Sequence, residues 1–339
     1  MLKPLPTQDP FQDPPAFREA LATWFGKQGK DYPWRRTTDP YAILVSEVML
    51  QQTQIATVLG KRFFTRFLER FPDVGTLAVA EDEPLLKAWE GLGYYRRARM
   101  LRETARAVVA AGGFPDTLEG LEKLPGIGRY TANAVRAFAY DLPAAVVDGN
   151  VARVLSRLID FHEAVDSPKG LKHLWTRADL LADPARPRIY NSALMEIGQT
   201  CCRTGEPDCL ACPVSSFCKT RVPEILPIKT AKPKIERVET HVLWARDAEG
   251  RVLLHQEQGK RRQGLWKLPE RSAAEVAGLV AIASHTYGIT RYHVTMHIYP
   301  AKVAAPRKDE AWRTLEAIAG LAMPSPYRRA LEALLANRP

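Results

Sequence analysis

The chain has 339 residues, of which 46% are hydrophobic and 25% are charged, and its formal net charge is +10. This length exceeds that of one typical domain and predicts two or three domains with ordinary apolar cores. No apolar run approaches the ~20 residues that cross a bilayer, so we expect no membrane-spanning helix and no membrane partner. The excess of positive charge favours a polyanionic partner.

The first segment, residues 1–16, is rich in proline and is predicted to be flexible. It has neither the apolar core of a secretion signal nor the Arg/Ser bias of a transit peptide. We therefore expect a soluble protein of the cytoplasm without a secretion signal.

A candidate general acid lies in the stretch Ser46–Gln54. Ile43, Glu47 and Leu50 are spaced at i, i+4 and i+7, so on a helix the carboxyl group of Glu47 shares a face with apolar side chains. Apolar surroundings raise the pKa of a carboxyl group and allow it to donate a proton near neutral pH. The alternative is a glutamate at a helix end that points to solvent.

The segment Leu124–Tyr130 predicts a tight glycine hairpin between two helices. Apolar residues at helical spacing flank it on both sides. Gly126 and Gly128 allow a sharp turn and a close approach to a ligand, with amide groups free to hold a phosphate. A helix–helix turn without any ligand is the alternative.

A second candidate carboxylate, Asp148, precedes a predicted helix that contains Val151, Leu155 and Leu158. Aspartate is a favoured N-cap residue, so the position suits a capping role as well as catalysis. The two roles can coexist, since a helix N-terminus keeps a carboxylate ionised.

All five cysteines lie between Cys201 and Cys218, and four follow the pattern Cys202-x6-Cys209-x2-Cys212-x5-Cys218. An odd number confined to so short a segment argues against a disulfide framework. Four thiolates on a short loop suit a tetrahedral metal site or an iron–sulfur cluster, and the spacing does not choose between them. Cys201 is left over and is predicted to be a buried thiol.

A second domain follows a linker. Proline and lysine mark residues 223–238 as that linker. Beyond it, residues 240–245 and 251–256 alternate like the two strands of a hairpin, and residues 293–299 predict a later strand. The domain boundary is placed at residue 239.

Basic side chains cluster at residues 61–70, 96–102 and 260–262. Such clusters attract phosphates and make binding sensitive to salt. Each cluster alone is more typical of a solvated helix face.

Several of these motifs together resemble a known family. They are Pro33-Trp34-Arg35, SEVMLQQTQ at residues 46–54, GLGYYRRAR at residues 91–99, LPGIGRY at residues 124–130 and VDGNV at residues 147–151. The combination resembles the MutY-type adenine DNA glycosylases of the endonuclease III superfamily. The resemblance covers residues 17–222 and implies an all-α glycosylase domain with a helix-hairpin-helix at about residues 117–140.

The resemblance implies a division of labour between two carboxyl groups. Glu47 protonates adenine, and Asp148 stabilises the positive charge on the deoxyribose. Tyr130 stands where lyase members of the superfamily carry a Schiff-base lysine, and with Asn150 it orients the carboxyl groups. A monofunctional glycosylase is therefore expected.

Further positions are implied to contact DNA. The glycines of the hairpin, Gly126 and Gly128, hold the backbone, and Gln52 and Tyr94 fill the stack that the flipped adenine leaves. Trp34 and Arg35 form pocket walls. Ser192 stands where the family often has an acid or amide facing the adenine edge, which is a departure from its pattern.

The resemblance assigns Cys202, Cys209, Cys212 and Cys218 to a [4Fe-4S] cluster. It also implies that residues 239–339 form a small α/β Nudix-like domain that recognises 8-oxoguanine opposite the adenine. Where the family has a Phe-Ser-His reading loop, this chain has Ile289-Thr290-Arg291. Thr290 keeps a hydroxyl group for the lesion, whereas Arg291 introduces a permanent cation.

The expected function is base excision repair, with hydrolysis of adenine paired with 8-oxoguanine or guanine in double-stranded DNA. The expected protein is a nucleoid-associated monomer. Two alternatives stay open: a thymine or other mismatch glycosylase on the same scaffold, against which Glu47 argues, and a cluster-bearing DNA-binding or redox protein without catalysis.

Overall fold

The computed structural model describes residues 9–231, 233–259, 262–303 and 305–336. The first half of the predicted flexible segment, residues 1–8, lies outside the described residues, as do Lys260 and Arg261 of one basic cluster. Within the described part, no helix is long and apolar enough to cross a membrane.

The helices are α1 (Pro14–Gln28), α2 (Pro40–Leu50), α3 (Ile55–Gly60), α4 (Phe63–Arg70), α5 (Val74–Ala78), α6 (Asp82–Ala88), α7 (Arg96–Ala110), α8 (Leu118–Glu122), α9 (Arg129–Phe138), α10 (Gly149–Leu158), α11 (Pro168–Leu181), α12 (Pro187–Thr200), α13 (Leu315–Gly320) and α14 (Ser325–Ala336). The strands are β1 (Glu236–Trp244), β2 (Val252–Gln256), β3 (Trp266–Lys267), β4 (Glu270–Arg271), β5 (Ala283–Ile289), β6 (Tyr292–Pro300) and β7 (Glu310–Arg313). Short 3-10 turns cover Pro33–Arg35, Ser215–Phe217 and Pro223–Ile225.

The chain forms two compact units, each made of two segments of the sequence. The first contains residues 1–51 and 107–231, and the second contains residues 52–106 and 232–339. The middle of the predicted catalytic region, residues 52–106, thus belongs by its contacts to the same unit as the C-terminal strands.

The core of the first unit is built around α10. Its apolar face, with Val151, Val154, Leu155 and Leu158, is buried in one cluster with side chains of α1, α11 and α12. α2 is buried almost all round, from Tyr41 to Met49. A helix that is apolar on every side belongs inside a core, and this places Glu47 there with its neighbours.

The helix-hairpin-helix is confirmed as α8, a turn and α9. Gly126 has a φ of 77°, in the left-handed region that glycine adopts without strain. Gly128 instead caps α9 with extended backbone, at φ −102° and ψ 177°. Gly126 makes the turn, whereas Gly128 leaves open space beside the first turn of α9.

The predicted linker is ordered at both ends. In the first unit, the carbonyl of Leu226 accepts from the Arg157 guanidinium at 3.0 Å, and the carbonyl of Ile228 accepts from the Val165 amide at 2.9 Å. In the second unit, β1 begins at Glu236, inside the predicted linker. Hydrogen bonds thus hold both ends of the predicted linker.

Two small sheets form most of the C-terminal part, with strand orders β4-β1-β6-β5 and β3-β2-β7. The predicted strand at residues 293–299 is confirmed as β6. The two strands predicted at residues 240–245 and 251–256 are present in β1 and β2, and an antiparallel bridge between Arg246 and Val252 joins their ends. Beyond this bridge the two strands do not pair with each other, since β1 pairs with β4 and β6 whereas β2 pairs with β3 and β7. The turn between the two strands is present. Val252, Leu253 and Leu254 are all buried, and this apolar run belongs inside the second sheet, where β2 lies between β3 and β7.

Helices α10 and α12 pack closely where Gly198 meets Asn150, next to the site described below. A Cβ atom on Gly198 of α12 would lie 2.6 Å from the Cβ of Asn150 and 3.2 Å from its backbone, at the start of α10. Because backbone cannot move aside cheaply, only glycine fits at this position.

We expect Gly198→Ala to lower the free energy of unfolding by about 1–3 kcal/mol, since overpacking forces α10 and α12 apart. Chemical denaturation of the full chain measures the change. Gly26→Ala is the control, because that glycine lies in α1 with nothing near its Cβ position. The control should be neutral or stabilising by up to about 1 kcal/mol. Equal losses in both variants would contradict the packing argument.

Candidate active site

Glu47 lies in the interior of the first unit, on α2. Only 4% of the residue is exposed, and its Oε2 accepts a hydrogen bond of 2.7 Å from the hydroxyl of Tyr130, in the first turn of α9. Burial raises the pKa of Glu47 to about 7; the hydrogen bond from Tyr130 lowers it and the charge of Asp148 raises it. The expectation of a carboxyl group in apolar surroundings with a raised pKa is confirmed.

Tyr130 is a fixed proton donor in this pair. Burial, followed by the charges of Glu47 and Asp148, raises its pKa well above the usual range. The phenol therefore keeps its proton and donates it to Oε2 of Glu47. This leaves the other oxygen of the carboxyl group to carry the acid proton.

Asp148 is the N-cap of α10. Its Oδ1 accepts from the Val151 amide at 2.7 Å, and its Oδ2 accepts from the Asn150 side-chain amide at 2.9 Å. Burial raises the pKa of Asp148 above its usual range, and these hydrogen bonds and the charge of Arg153 only reduce the rise. The prediction that the helix N-terminus governs this carboxyl group was therefore incomplete, because desolvation is the larger effect.

Asn150 is held in one orientation. Arg153 donates to its side-chain oxygen at 2.9 Å, so its NH₂ group faces Asp148. Arg153 also donates to the carbonyls of Gly198, at 2.6 Å, and Cys202, at 2.8 Å. Sequence reasoning missed Arg153, although its position three residues after Asn150 places both on one helix face.

The four predicted metal ligands meet at one cavity. Cys202, Cys209, Cys212 and Cys218 line it together with Cys201, and none of the five forms a disulfide bond. Cys201 is 6% exposed, which confirms the prediction of a buried thiol. Among the described residues, no group of three or more His, Cys, Asp or Glu side chains has the geometry to hold a single metal ion.

A buried cation lies against these thiols. Arg157 of α10 is 1% exposed, and its Nη1 donates to the Sγ of Cys202 at 3.2 Å and to the carbonyl of Arg203 at 2.8 Å. Its Nη2 is buried and has no hydrogen-bond partner among the residues that the structure describes. The pKa of Cys212 is raised to about 12, mainly by burial and also by the neighbouring thiols, while a hydrogen bond with the Val214 backbone opposes the rise. Four thiols beside a buried cation form a donor set that suits an anionic thiolate-bound group.

Trp34 and Arg35 are both placed by the 3-10 turn that contains them. Trp34 is buried and stacks on Tyr32 at 5.2 Å. The guanidinium of Arg35 lies over the rings of Phe25 and Tyr32 and forms an ion pair with Glu196, whose side chain is fully buried. The charge of Arg35 is thus compensated by Glu196 inside the protein. The role of Arg35 as a pocket wall stays a prediction.

Ser192 is buried on α12, beside Asn191. Asn191 donates to the carbonyls of Ala144 and Pro187 at 2.8 Å and accepts from the Val146 amide at 2.9 Å. These bonds hold the extended segment that leads to Asp148. Contact of Ser192 with a base stays a prediction.

The other predicted DNA contacts lie in the second unit. Gln52, Tyr94 and Thr290 all have left-handed backbone, with φ of 57°, 47° and 51°. Tyr94 is 47% exposed, whereas Tyr95 is buried and donates to the carbonyl of Met323 at 3.0 Å. Tyr95 is therefore a packing residue in the core of this unit.

Thr290 and Arg291 form the two-residue turn between β5 and β6. Both are exposed, and the hydroxyl of Thr290 donates to the carbonyl of Ile289 at 2.7 Å. Arg291 forms an exposed ion pair of 3.3 Å with Glu236 and a hydrogen bond of 3.1 Å with the hydroxyl of Tyr292. The predicted reading loop is therefore a hairpin tip.

Comparison with known proteins identifies the family. Residues 45–177 match the model of the HhH-GPD superfamily base excision DNA repair proteins. The chain is 40% identical over 206 residues to the adenine DNA glycosylase of Mycolicibacterium smegmatis, an alignment that covers 59% of this chain and 68% of that protein. The chain belongs to the adenine DNA glycosylase family.

Mammalian members of the family are also similar. The mouse adenine DNA glycosylase is 44% identical over 218 residues, covering 61% of this chain and 42% of the mouse protein. The human adenine DNA glycosylase is 44% identical over 217 residues, covering 61% of this chain and 39% of the human protein. The chain thus spans less than half the length of these mammalian relatives.

Solved structures confirm the helical glycosylase fold predicted for this family member. A thermostable thymine-DNA glycosylase matches with a TM-score of 0.55 and 29% identity, over 61% of this chain and 95% of that chain. An endonuclease III–DNA complex matches with a TM-score of 0.50 and 24% identity, over 62% and 95%. The Nudix-like relationship of the C-terminal part stays a prediction.

The raised pKa of Glu47 makes the stability of this adenine DNA glycosylase family member depend on pH. A folded pKa of about 7 against an ordinary value of 4.5 means that folding retains a proton which the unfolded chain releases. The contribution of Glu47 to stability is therefore complete below pH 4.5 and is lost as the pH rises to about 7.

We expect Glu47→Gln to remove this loss, because a glutamine does not ionise. Relative to the wild type, the free energy of unfolding of the variant should rise by up to about 3 kcal/mol between pH 4.5 and pH 7. Urea denaturation across this pH range measures the difference. Glu163→Gln, at an exposed glutamate, is the control and should follow the wild type. A parallel pH dependence of Glu47→Gln and wild type would show that Glu47 is not desolvated.

Proposed function

We propose that this chain is a monofunctional DNA glycosylase of base excision repair, which hydrolyses the N-glycosidic bond of adenine in double-stranded DNA and leaves an abasic site. The observation that carries the proposal is the buried Glu47–Tyr130 pair with the charge of Asp148 beside it. We propose adenine as the base because the chain belongs to the adenine DNA glycosylase family.

Glu47 is the general acid of this proposal. Adenine becomes a good leaving group when one of its ring nitrogens is protonated. A carboxyl group with a pKa of about 7 is protonated in a large share of molecules at neutral pH. Tyr130 occupies Oε2 of Glu47, so the other oxygen delivers the proton and later accepts one from the attacking water.

Asp148 stabilises the positive charge that develops on the deoxyribose. Asn150 and the Val151 amide each bind one of its oxygens and hold the carboxylate in one plane. A fixed charge in a desolvated site stabilises an oxocarbenium ion more strongly than a charge in water. The pair of carboxyl groups, one acid and one stabiliser, parallels the glycoside hydrolases.

Tyr130 makes the proposed enzyme monofunctional. A lyase needs an amine that attacks the sugar and forms a Schiff base. The phenol of Tyr130 has a pKa well above its usual range and is engaged with Glu47. It therefore acts as a hydrogen-bond donor, and strand cleavage requires a separate treatment with alkali.

The proposed partner is double-stranded DNA that contains adenine opposite 8-oxoguanine or guanine. An adenine inside a duplex must be flipped out to reach a buried carboxyl group. Gly126 makes the turn of the hairpin, and the open space beside Gly128 with the amides at the start of α9 is proposed to hold the phosphate backbone. Gln52 and Tyr94 are proposed to enter the vacated stack. Trp34, Arg35 and Ser192 are proposed to surround the base.

We propose that the C-terminal part reads the lesion through the exposed hairpin tip at Thr290 and Arg291. A two-residue β turn presents both side chains away from the sheet. Thr290 offers a hydroxyl group to 8-oxoguanine, and Arg291 offers a cation to the neighbouring phosphate once its exposed pair with Glu236 exchanges.

We propose that Cys202, Cys209, Cys212 and Cys218 hold a [4Fe-4S] cluster. Four thiols at one cavity and the buried guanidinium of Arg157 at the Sγ of Cys202 suit an anionic cluster. When bound, such a cluster cross-links its loop and supplies a redox-active iron centre. The proposed hydrolysis needs only the protein carboxyl groups and water.

The first measurement is single-turnover release of adenine from duplexes with A:8-oxoguanine, A:G and T:G pairs, read with and without alkali. We expect strand breaks at adenine only after alkali, with a rate that falls above about pH 7 as Glu47 ionises. Glu47→Gln should lower the rate about 10²–10⁴-fold, the typical contribution of a general acid. Glu163→Gln should keep it.

The same assay compares the rates of adenine release from the A:8-oxoguanine and A:G duplexes. Faster reaction of A:8-oxoguanine than of A:G, with a ratio that Thr290→Ala reduces, supports lesion reading at the hairpin tip. An equal rate for both duplexes would overturn it. Release of thymine from T:G without release of adenine would instead assign the chain to the activity named for the similar thymine-DNA glycosylase.

The cluster is tested by metal analysis of protein purified without oxygen. We expect iron and acid-labile sulfide in the wild type, and we expect Cys212→Ser to lose both together with the visible absorption and to melt at a lower temperature. Cys201→Ser is the matched control, since it removes the adjacent buried thiol and should keep the cluster. Stoichiometric zinc in place of iron and sulfide would contradict the assignment.

A further inference from the structure

The two side chains proposed to enter the base stack lie on separate turns of the second unit. Gln52 stands in the turn before α3, and Tyr94 stands in the turn before α7. Both have left-handed backbone, which residues with a Cβ atom rarely adopt without support from their surroundings. Both turns therefore need something that holds them.

Arg97 contacts both turns. From the first turn of α7, its Nη2 donates to the carbonyls of Leu92 at 3.0 Å and Gly93 at 3.3 Å, and to the hydroxyl of Thr53 at 3.2 Å. Its guanidinium also lies over the ring of Tyr94, with 5.6 Å between its Cζ and the ring centroid. One side chain thus touches the residue after Gln52 and the peptide before Tyr94.

The core fixes the position of this guanidinium. Trp89, which is fully buried, donates from Nε1 to the same Gly93 carbonyl at 3.0 Å, and Arg97 lies 5.5 Å from the centre of its ring. Trp89 in turn packs edge-on against Phe67. Arg97 is therefore anchored against rigid aromatic side chains.

The neighbouring basic residues are arranged differently. Arg96 is exposed, whereas Arg102 is buried and donates to the Ala80 carbonyl at 2.9 Å.

Burial lowers the pKa of Arg97 to about 10, which leaves it charged at neutral pH. A charged, planar guanidinium can donate hydrogen bonds and also lie over aromatic rings, as Arg97 does with Trp89 and Tyr94, which a flexible ammonium group does not reproduce.

We propose that Arg97 is a positioning residue that joins the Gln52 turn and the Tyr94 turn into one rigid wedge, so that both side chains enter the duplex together. The proposal rests on the proposed function, since it assumes that adenine is flipped. A preorganised wedge lowers the cost of opening the stack and leaves the affinity for the phosphate backbone largely unchanged. Arg97 thus acts on base opening, separately from phosphate binding and from the acid step of Glu47.

The test measures base unstacking in the full chain without chemistry. The Glu47→Gln background stops base release, and the probe is 2-aminopurine placed next to adenine in an A:G duplex, whose fluorescence rises when stacking is lost. Arg97→Lys keeps the charge but removes the planar guanidinium that lies over the rings of Trp89 and Tyr94. Arg106→Lys is the matched control, since Arg106 lies on the same helix and donates to the Ala78 carbonyl without contacting either turn.

We expect Arg97→Lys to reduce the fluorescence rise at saturating protein at least threefold and, with Glu47 restored, to slow adenine release at least tenfold. The dissociation constant should change less than threefold. Arg106→Lys should match its parent in all three. Thr53→Ala, which removes the hydroxyl that accepts from Arg97 and leaves the guanidinium in place, should give a smaller loss of the same kind. It serves if Arg97→Lys melts at a lower temperature than Arg106→Lys.

A double variant distinguishes a wedge from independent contacts. With Tyr94→Ala present, Arg97→Lys should cause little further loss of fluorescence, because the wedge is already missing. Additive losses, an unchanged fluorescence rise in Arg97→Lys, or a change confined to the dissociation constant would each overturn the proposal. A normal fluorescence rise in the Glu47→Gln parent without adenine release by the wild type would refute the proposed function while leaving the wedge intact.

Discussion

The hydrogen bonds that Asp148 accepts at the start of α10 are the constraint on which the first unit depends. The same carboxyl group caps the helix and faces the proposed reaction, so its position is set by the fold and not by a flexible side chain. α10 then buries its apolar face in the main core of this unit. Its polar face points Asn150, Arg153 and Arg157 toward α12 and the cysteine loop.

The Glu47–Tyr130 pair shows what burial contributes to acid chemistry. α2 is apolar on all sides, so water cannot solvate an ionised Glu47, and the pKa moves toward neutrality. Tyr130 moderates this effect by donating one hydrogen bond, which also decides which oxygen of Glu47 carries the proton. The cost of keeping a carboxyl group in this place is paid by the surrounding core, as is common where function and stability conflict.

The second unit solves a different physical problem. The wedge that we propose for Gln52 and Tyr94 must be exposed to reach a base stack and must also resist being pushed back. Tyr94 is exposed on a left-handed turn, while its neighbour Tyr95 is buried and bonded to the carbonyl of Met323 in the C-terminal part of the same unit. Alternation of an exposed and an anchored ring gives a rigid projection.

Local patterns in the sequence determined much of this protein: the face of Glu47, the glycine hairpin, the helix after Asp148 and the set of four cysteines. Each depends on residues close together in the chain, where helical spacing and turn chemistry decide the outcome. Only the tertiary structure decided that β1 and β2 enter different sheets, that burial outweighs the helix N-terminus at Asp148, and that Arg97, Arg153 and Arg157 point inward. Desolvation, sheet pairing and the choice of partner for an arginine depend on groups distant in sequence, which no local pattern specifies.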